Sequence, residues 1–197
     1  MPPVNRRLTR GLHIGKRFGP ARIAVCAMRF REPSVALLAS NGERHFWRCR
    51  MPVIRTCSHC GKQNRIPAKF LASTGRCGAC KSPLPPLSEP LAVDDQLFDE
   101  VVQNAPVPVL VDFWAGWCRP CVAATPEVAR TAADMAGKAI VLKVDTERYP
   151  QLAGRFKVNS IPNFVVLLGG RVVIQQPGLV DHEQLERWLK SAAPVPA

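Results

Sequence analysis

Six of the eight cysteines fall in three Cys-x-x-Cys pairs, Cys57/Cys60, Cys77/Cys80 and Cys118/Cys121; Cys26 and Cys49 lie outside them. Two thiols at that spacing can close a disulfide with each other or supply half of a tetrahedral metal site. The flanks separate the two chemistries. Trp117-Cys118-Arg119-Pro120-Cys121 follows Val107–Trp114, an apolar run that reads as a buried strand, and precedes Val122–Met135, which reads as a helix. At a strand-to-helix junction, thiols three residues apart share a face of the first turn. The unpaired N–H groups and positive dipole end stabilise the thiolate that attacks disulfides. A redox dithiol is the expectation, with a buried structural pair or half of a metal site as the alternative.

The other pairs read differently. Cys57-Ser58-His59-Cys60-Gly61 and Cys77-Gly78-Ala79-Cys80-Lys81 form C-x2-C-x16-C-x2-C, a zinc-ribbon spacing. Each pair makes a knuckle, with Gly61 and Gly78 easing the turns. Two knuckles offer Zn2+ four thiolates and no open position, so the metal is structural and supplies much of the folding free energy of so small a segment. Two further redox dithiols are the alternative. His59 reads as a solvated knuckle residue. Lys62, Arg65, Lys69 and Arg76 read as compensation for the anionic zinc centre rather than nucleic-acid contacts, and nucleic acid is not expected as a partner.

The elements that must hold the dithiol follow a connection, residues 83–90, whose four prolines exclude a helix and favour a stiff linker. Leu91–Val93 is a short edge strand. Asp94 or Asp95 caps a helix to about Gln103, with Leu97, Phe98, Val101 and Val102 on its apolar face. Ile140–Asp145 is a strand, Tyr149–Phe156 a helix, and Asn163–Leu168 and Arg171–Gln176 a hairpin turning at Gly169-Gly170. Asp181 caps a last helix carrying Leu185, Trp188 and Leu189. Alternating strands and helices imply an α/β fold with a sheet covered on both faces and an antiparallel part at its end.

The formal net charge of +12 is uneven: residues 1–50 hold eleven Lys and Arg against Glu32 and Glu43. That segment reads as a disordered tail or a mis-assigned upstream start, with a product beginning at Met51; organelle targeting and a basic nucleic-acid arm are the other readings. No run approaches the ~18 apolar residues of a membrane span. Regular Cys-x-x-Cys pairs suit metal binding and catalysis in a reducing compartment, so a cytoplasmic protein is expected; a monomer without a membrane partner is expected as well.

From Met51 onward the chain resembles the thioredoxin family in its zinc-binding form. The carriers are Val111-Asp112-Phe113-Trp114-Ala115 before the Cys-Arg-Pro-Cys dithiol, Pro126, Lys143-Val144-Asp145, Ser160-Ile161-Pro162, Gly170, Gly178, the two knuckles and Asn64-Arg65-Ile66-Pro67. The resemblance implies a thioredoxin fold, a central mixed sheet flanked by helices, over 91–197, preceded by a zinc ribbon over 51–82 with Cys57, Cys60, Cys77 and Cys80 as ligands. It implies Cys118 as nucleophile and Cys121 as the more buried resolving thiol. Asp112, a lone carboxyl in an apolar strand, would relay a proton to or from Cys121; Lys143 either lies near it or reaches solvent. Pro162 matches a cis-proline that leaves the backbone of Ile161 free to pair with a substrate segment, with Trp117 and Gly178 beside it. Trp114 packs in the fold, and Pro126 kinks its helix.

The activity implied is protein-disulfide reduction, restored by a thioredoxin reductase drawing on NADPH. Disulfide-containing proteins are the substrates. Arg119 stands where the family usually has Gly; beside Pro120 it is expected to stabilise the Cys118 thiolate and make the couple more oxidising. Two other functions stay open: a more oxidising oxidase or isomerase, and a zinc-ribbon interaction module whose dithiol only senses redox state. Oxidation of the ribbon thiols with loss of zinc is a further possibility.

Overall fold

The computed structural model describes residues 52–193; the reading of residues 1–50 falls outside them. Two small antiparallel ribbons come first. β1 (Val53–Thr56) pairs with β2 (Gln63–Ile66), and β3 (Gly75–Arg76) with β4 (Pro83–Leu84), with the 3-10 turn Ala68–Phe70 between the pairs. The remainder is β5 (Leu91–Ala92), α1 (Asp95–Asn104), β6 (Val109–Trp114), α2 (Arg119–Asp134), β7 (Ile140–Asp145), α3 (Pro150–Arg155), β8 (Asn163–Leu168), β9 (Arg171–Pro177) and α4 (His182–Ala192).

The sheet order is β5-β7-β6-β8-β9, with β5, β7 and β6 parallel and β8 and β9 antiparallel. Alternation along the strands sorts the core into two layers. Val109, Val111, Phe113, Ile140, Leu142, Val144, Val165 and Leu167 meet Phe98, Val101 and Val102 of α1. Leu110, Val141, Phe164 and Val166 face the other way, onto Ala124, Val128 and Ala132 of α2 and Leu185 and Leu189 of α4. Asp94 and Asp181 cap α1 and α4 by accepting the N–H of Leu97 and Gln184. The β8–β9 turn is Gly169-Gly170, both with positive φ (53° and 79°), as a two-residue hairpin turn requires.

Two features differ from the sequence reading. α2 begins at Arg119, three residues before Val122, because Pro120 suits a first helical turn and Cys118 itself is the N-cap. It runs unbroken past Pro126. The connection after β4 is extended, as its prolines require, but it is packed: Leu87 is buried and donates its N–H to the Leu71 carbonyl. Val53, Ala68, Leu71 and Leu87 join the same apolar cluster as Phe98 and Val111. The four-cysteine segment therefore shares part of its core with the sheet, beside a small cluster of its own formed by Cys57, Cys77 and Leu84.

Candidate functional site

Cys118 follows the C-terminal end of β6 through Ala115 and the exposed Gly116 and Trp117. Its Sγ accepts the N–H of Cys121 at 3.1 Å, so the sulfur occupies the anion-stabilising end of α2. Cys118 and Cys121 are joined in a disulfide with a Cα–Cα distance of 5.2 Å. In this oxidised form both are 3% exposed, so the greater burial expected for Cys121 is absent. Arg119 and Pro120 are exposed.

The sequence-predicted residues converge on the dithiol from three loops. Ala115, Trp114 and Ile161 pack against the two sulfurs' residues. The Ile161–Pro162 peptide bond is cis, and the Pro162 carbonyl accepts the Gly178 N–H at 2.8 Å, tying the loop after β9 to the loop before β8. Trp117 stands out at 70% exposure, beside an open groove of about 410 Å³ whose lining includes Trp117, Thr146, Val158, Ser160 and Ile161. Exposed Val122 and Leu179, next to Cys121 and Gly178 in sequence, were not singled out in the sequence; only their apolar type at those positions marks them.

Asp112 lies on the face of β6 that carries Leu110, the face α2 and α4 cover. It is 1% exposed, and its Oδ1 has no hydrogen-bond partner among the described residues. Register places Lys143 of β7 directly beside it. The ammonium sits 3.9 Å from Asp112 Oδ2 and 4.5 Å from the centre of the Trp114 ring. Burial pushes the Asp112 carboxyl up to about 6, with Lys143 opposing the shift.

That shift has a consequence for stability. A carboxyl whose folded pKa of about 6 exceeds an unfolded value of about 3.9 binds its proton more tightly when folded. Its contribution is fully present below about pH 4 and is lost as pH rises through about 6, a change of about 3 kcal/mol. Asp112→Asn is therefore expected to stabilise the oxidised protein by about 2 kcal/mol at pH 8 and to give little gain at pH 4. Urea unfolding at the two pH values checks this; an equal gain at both contradicts it.

The four remaining described cysteines make a second cluster. Cys57, Cys60, Cys77 and Cys80 hold their sulfurs within 4.8 Å of one another, and the Cys57–Cys80 and Cys60–Cys77 pairs are each 3.7 Å apart. Four thiolates at about 2.3 Å from a tetrahedral Zn2+ lie about 3.8 Å apart, so the two pairs already stand at the spacing that ion needs and the cluster suits it. The N–H groups of Cys80 and Ala79 hold the Cys77 thiol down at about 6. For Cys60 the Lys62 N–H acts downward, but sharing a proton with Cys80 pushes the thiol up to about 11. So crowded a set suits a dication that takes all four as thiolates. Asn64 ties the knuckles together: its side chain accepts the Gly78 N–H and donates to the Lys62 carbonyl, both at 2.9 Å. His59 is exposed and outside the cluster.

Residues 89–191 match the family model described as Thioredoxin, more than half the chain. The chain belongs to the thioredoxin family. Residues 56–82 match a second model, Thioredoxin 2, N-terminal, a zinc ribbon. Thioredoxin C-3 of Corynebacterium nephridii is 36% identical over 137 residues, covering 70% of this chain and 93% of its own. Thioredoxin 1 of Nostoc sp. is 38% identical over 104 residues, 53% of this chain and 97% of its own. A mutant thioredoxin from Halobacterium salinarum NRC-1 superposes with a TM-score of 0.50 at 32% identity, covering 56% of this chain and 96% of that one. The thioredoxin fold with its four-cysteine ribbon, and the class of thiol–disulfide oxidoreductase, follow from these matches and the topology above. Among the described residues no helix is long and apolar enough to cross a membrane.

Proposed function

We propose that this thioredoxin is a protein-disulfide reductase whose Cys118 thiolate attacks one sulfur of a substrate disulfide. That sulfur bonds to Cys118, and the other leaves as a thiolate that takes a proton from water. Cys121, giving its proton toward Asp112, attacks the Cys118 sulfur. The second substrate thiol leaves, and the two electrons of reduction come from the dithiol, left as the Cys118–Cys121 disulfide. The observation that carries this reading is the Cys118 sulfur at the N-terminus of α2, backed by a buried carboxyl on the face that α2 covers. A carboxyl titrating near about 6 is mostly ionised at pH 7, yet basic enough to accept a thiol proton.

Trp117, the Ile161 backbone, Pro162 and Gly178 would receive an extended substrate segment by β-augmentation. Cys57, Cys60, Cys77 and Cys80 would hold one structural Zn2+, which when bound fixes the knuckles and takes no part in the exchange. The division proposed is a ribbon over 51–82, a connection over 83–90 and a redox domain from 91, in a cytoplasmic monomer. A thioredoxin reductase using NADPH would return the dithiol. The test is NADPH-coupled insulin reduction with that reductase; no NADPH consumption above the rate without this chain would refute the reading.

Arg119 stands where the resemblance to the family would place Gly. Its guanidinium is solvent-exposed beside Cys118, so its effect is that of a surface charge, and it stabilises the reduced form. Arg119→Gly is expected to lower the reduction potential by roughly 5–20 mV. Equilibration with a glutathione buffer measures it, and an unchanged or raised potential contradicts the electrostatic argument.

A further inference from the structure

The charges of the chain are segregated. Between residues 52 and 88 the basic residues are Arg55, Lys62, Arg65, Lys69, Arg76 and Lys81, with no Asp or Glu; from Glu89 onward thirteen acidic residues face ten basic ones. In the redox domain the cations are largely paired: Arg155 with Asp99, Lys190 with Glu186, Arg187 with Glu183, Arg130 with Asp134, Arg148 with Asp145 and Lys143 with Asp112. The ribbon has no carboxylate to pair with. Its six cations exceed the two negative charges of a zinc–tetrathiolate centre, so compensation of the metal does not use them up.

Some of these charges frame a groove. A cleft of about 300 Å³ between the two small ribbons has an apolar lining of Ile66, Pro67, Phe70 and Leu84, and Arg55 and Arg76 at its sides. Phe70 is 49% exposed, although a phenyl ring left in water forgoes about 1–2 kcal/mol of burial. The Lys69 ammonium lies over that ring at 4.7 Å. Arg55 is held by the Pro85 and Pro86 carbonyls, which fixes one wall. The Arg76 side chain is exposed and makes no hydrogen bond or ion pair among the described residues. The groove is remote from the dithiol. The segment carrying it meets the redox domain near Gly137, where an added Cβ would touch Pro86 at 3.4 Å and the Ala72 carbonyl at 3.6 Å. Gly137 precedes the N-terminal end of β7, whereas Cys118 follows the C-terminal end of the parallel β6.

We infer that this groove is a second docking site, for a protein segment that places an aromatic or large aliphatic side chain against Phe70 and carboxylates against Arg76 and Lys69. An apolar cleft between cations matches an acidic, apolar peptide in both charge and shape. A nucleic acid, the other polyanion, would need an open stacking platform and a continuous basic track along its phosphates. The inference rests on the reading of the redox site as acting on proteins. A client held by the ribbon presents its disulfide to Cys118 at a raised effective concentration, and clients with such a segment are preferred.

The test separates docking from catalysis by using a labelled peptide with no cysteine: a Phe and a Leu flanked by Glu, compared with the same peptide carrying Gln for Glu. Fluorescence anisotropy with the zinc-loaded full chain is expected to show the acidic peptide binding at least about tenfold more tightly than the Gln peptide. Arg76→Glu and, separately, Phe70→Ser should each weaken it by about tenfold. Zinc content and reduction of a small uncharged disulfide should stay at wild-type values, which establishes that the variants fold. Equal affinity for both peptides, equal affinity of wild type and Arg76→Glu, or no binding at all would overturn the proposal. So would a single-stranded oligonucleotide of equal charge that binds more tightly and displaces the peptide, assigning the surface to nucleic acid. Peptide binding without insulin reduction would refute the reductase reading alone, and the converse would refute the groove alone.

Discussion

Cys118→Ser is expected to abolish disulfide reduction, lowering turnover by about a thousandfold or more, while leaving the fold in place. Serine is a good helix N-cap, and its hydroxyl can accept the Cys121 N–H that the sulfur accepts now, so α2 keeps its start. A hydroxyl is not ionised near neutral pH, so serine supplies no nucleophile comparable to the thiolate. Cys121→Ser loses turnover as well, but for another reason. The first attack proceeds, and the reaction stops at a mixed disulfide because nothing resolves it. NADPH-coupled insulin reduction with circular dichroism on the same samples checks the pair. Appreciable turnover in Cys118→Ser would move the chemistry elsewhere.

Removal of zinc is expected to unfold the four-cysteine segment and loosen α1, but to spare the centre of the sheet. Cys57, Cys77 and Leu84 form a core too small to hold β1 to β4 alone, and a structural Zn2+ of this type is worth an apparent ~10–16 kcal/mol. The effect spreads because Ala68, Leu71 and Leu87 pack in one cluster with Phe98 and Val101 of α1. Each buried leucine lost from that contact removes about 2–3 kcal/mol. Hydrogen exchange on chelator-treated, reduced protein should show protection lost over residues 53–87 and reduced over α1. β6 and β8, paired on both edges, should remain protected. Cys57→Ser should reproduce the pattern. Undiminished protection over 53–87 in zinc-free protein would contradict the fit of the cluster to a structural metal.

The dithiol, the ribbon spacing and most of the sheet were legible in the sequence because each has a short-range signature. A Cys-x-x-Cys pair declares its chemistry by spacing, and buried strands such as Val109–Trp114 and Ile140–Asp145 declare themselves by mostly apolar runs. Asp112 was conspicuous as a carboxyl with apolar neighbours on both sides in such a run. Lys143 was ambiguous because its reach depends on the register of β6 against β7, which local pattern does not encode; in the structure its ammonium lies over the Trp114 ring and toward Asp112. The start of α2 was placed late because Arg-Pro-Cys has no apolar periodicity, although Cys118 caps it. Leu71 and Leu87 gave no sign of burial, since their polar and proline-rich neighbours resemble a linker and their partners are distant in sequence. The charge contrast between ribbon and redox domain was in plain view, but the cleft that gives it a use appears only when β2 and β3 are brought side by side.

The most direct test of the central claim is to identify the sulfur that attacks. Cys121→Ser, loaded with zinc and fully reduced, is mixed with insulin, quenched with acid and an alkylating agent, and mapped by peptide mass spectrometry. The predicted result is one mixed disulfide, between insulin and Cys118, with Cys57, Cys60, Cys77 and Cys80 recovered free. A cross-link on a ribbon cysteine, or insulin reduced with no adduct at Cys118, would contradict the assignment of Cys118 as the nucleophile.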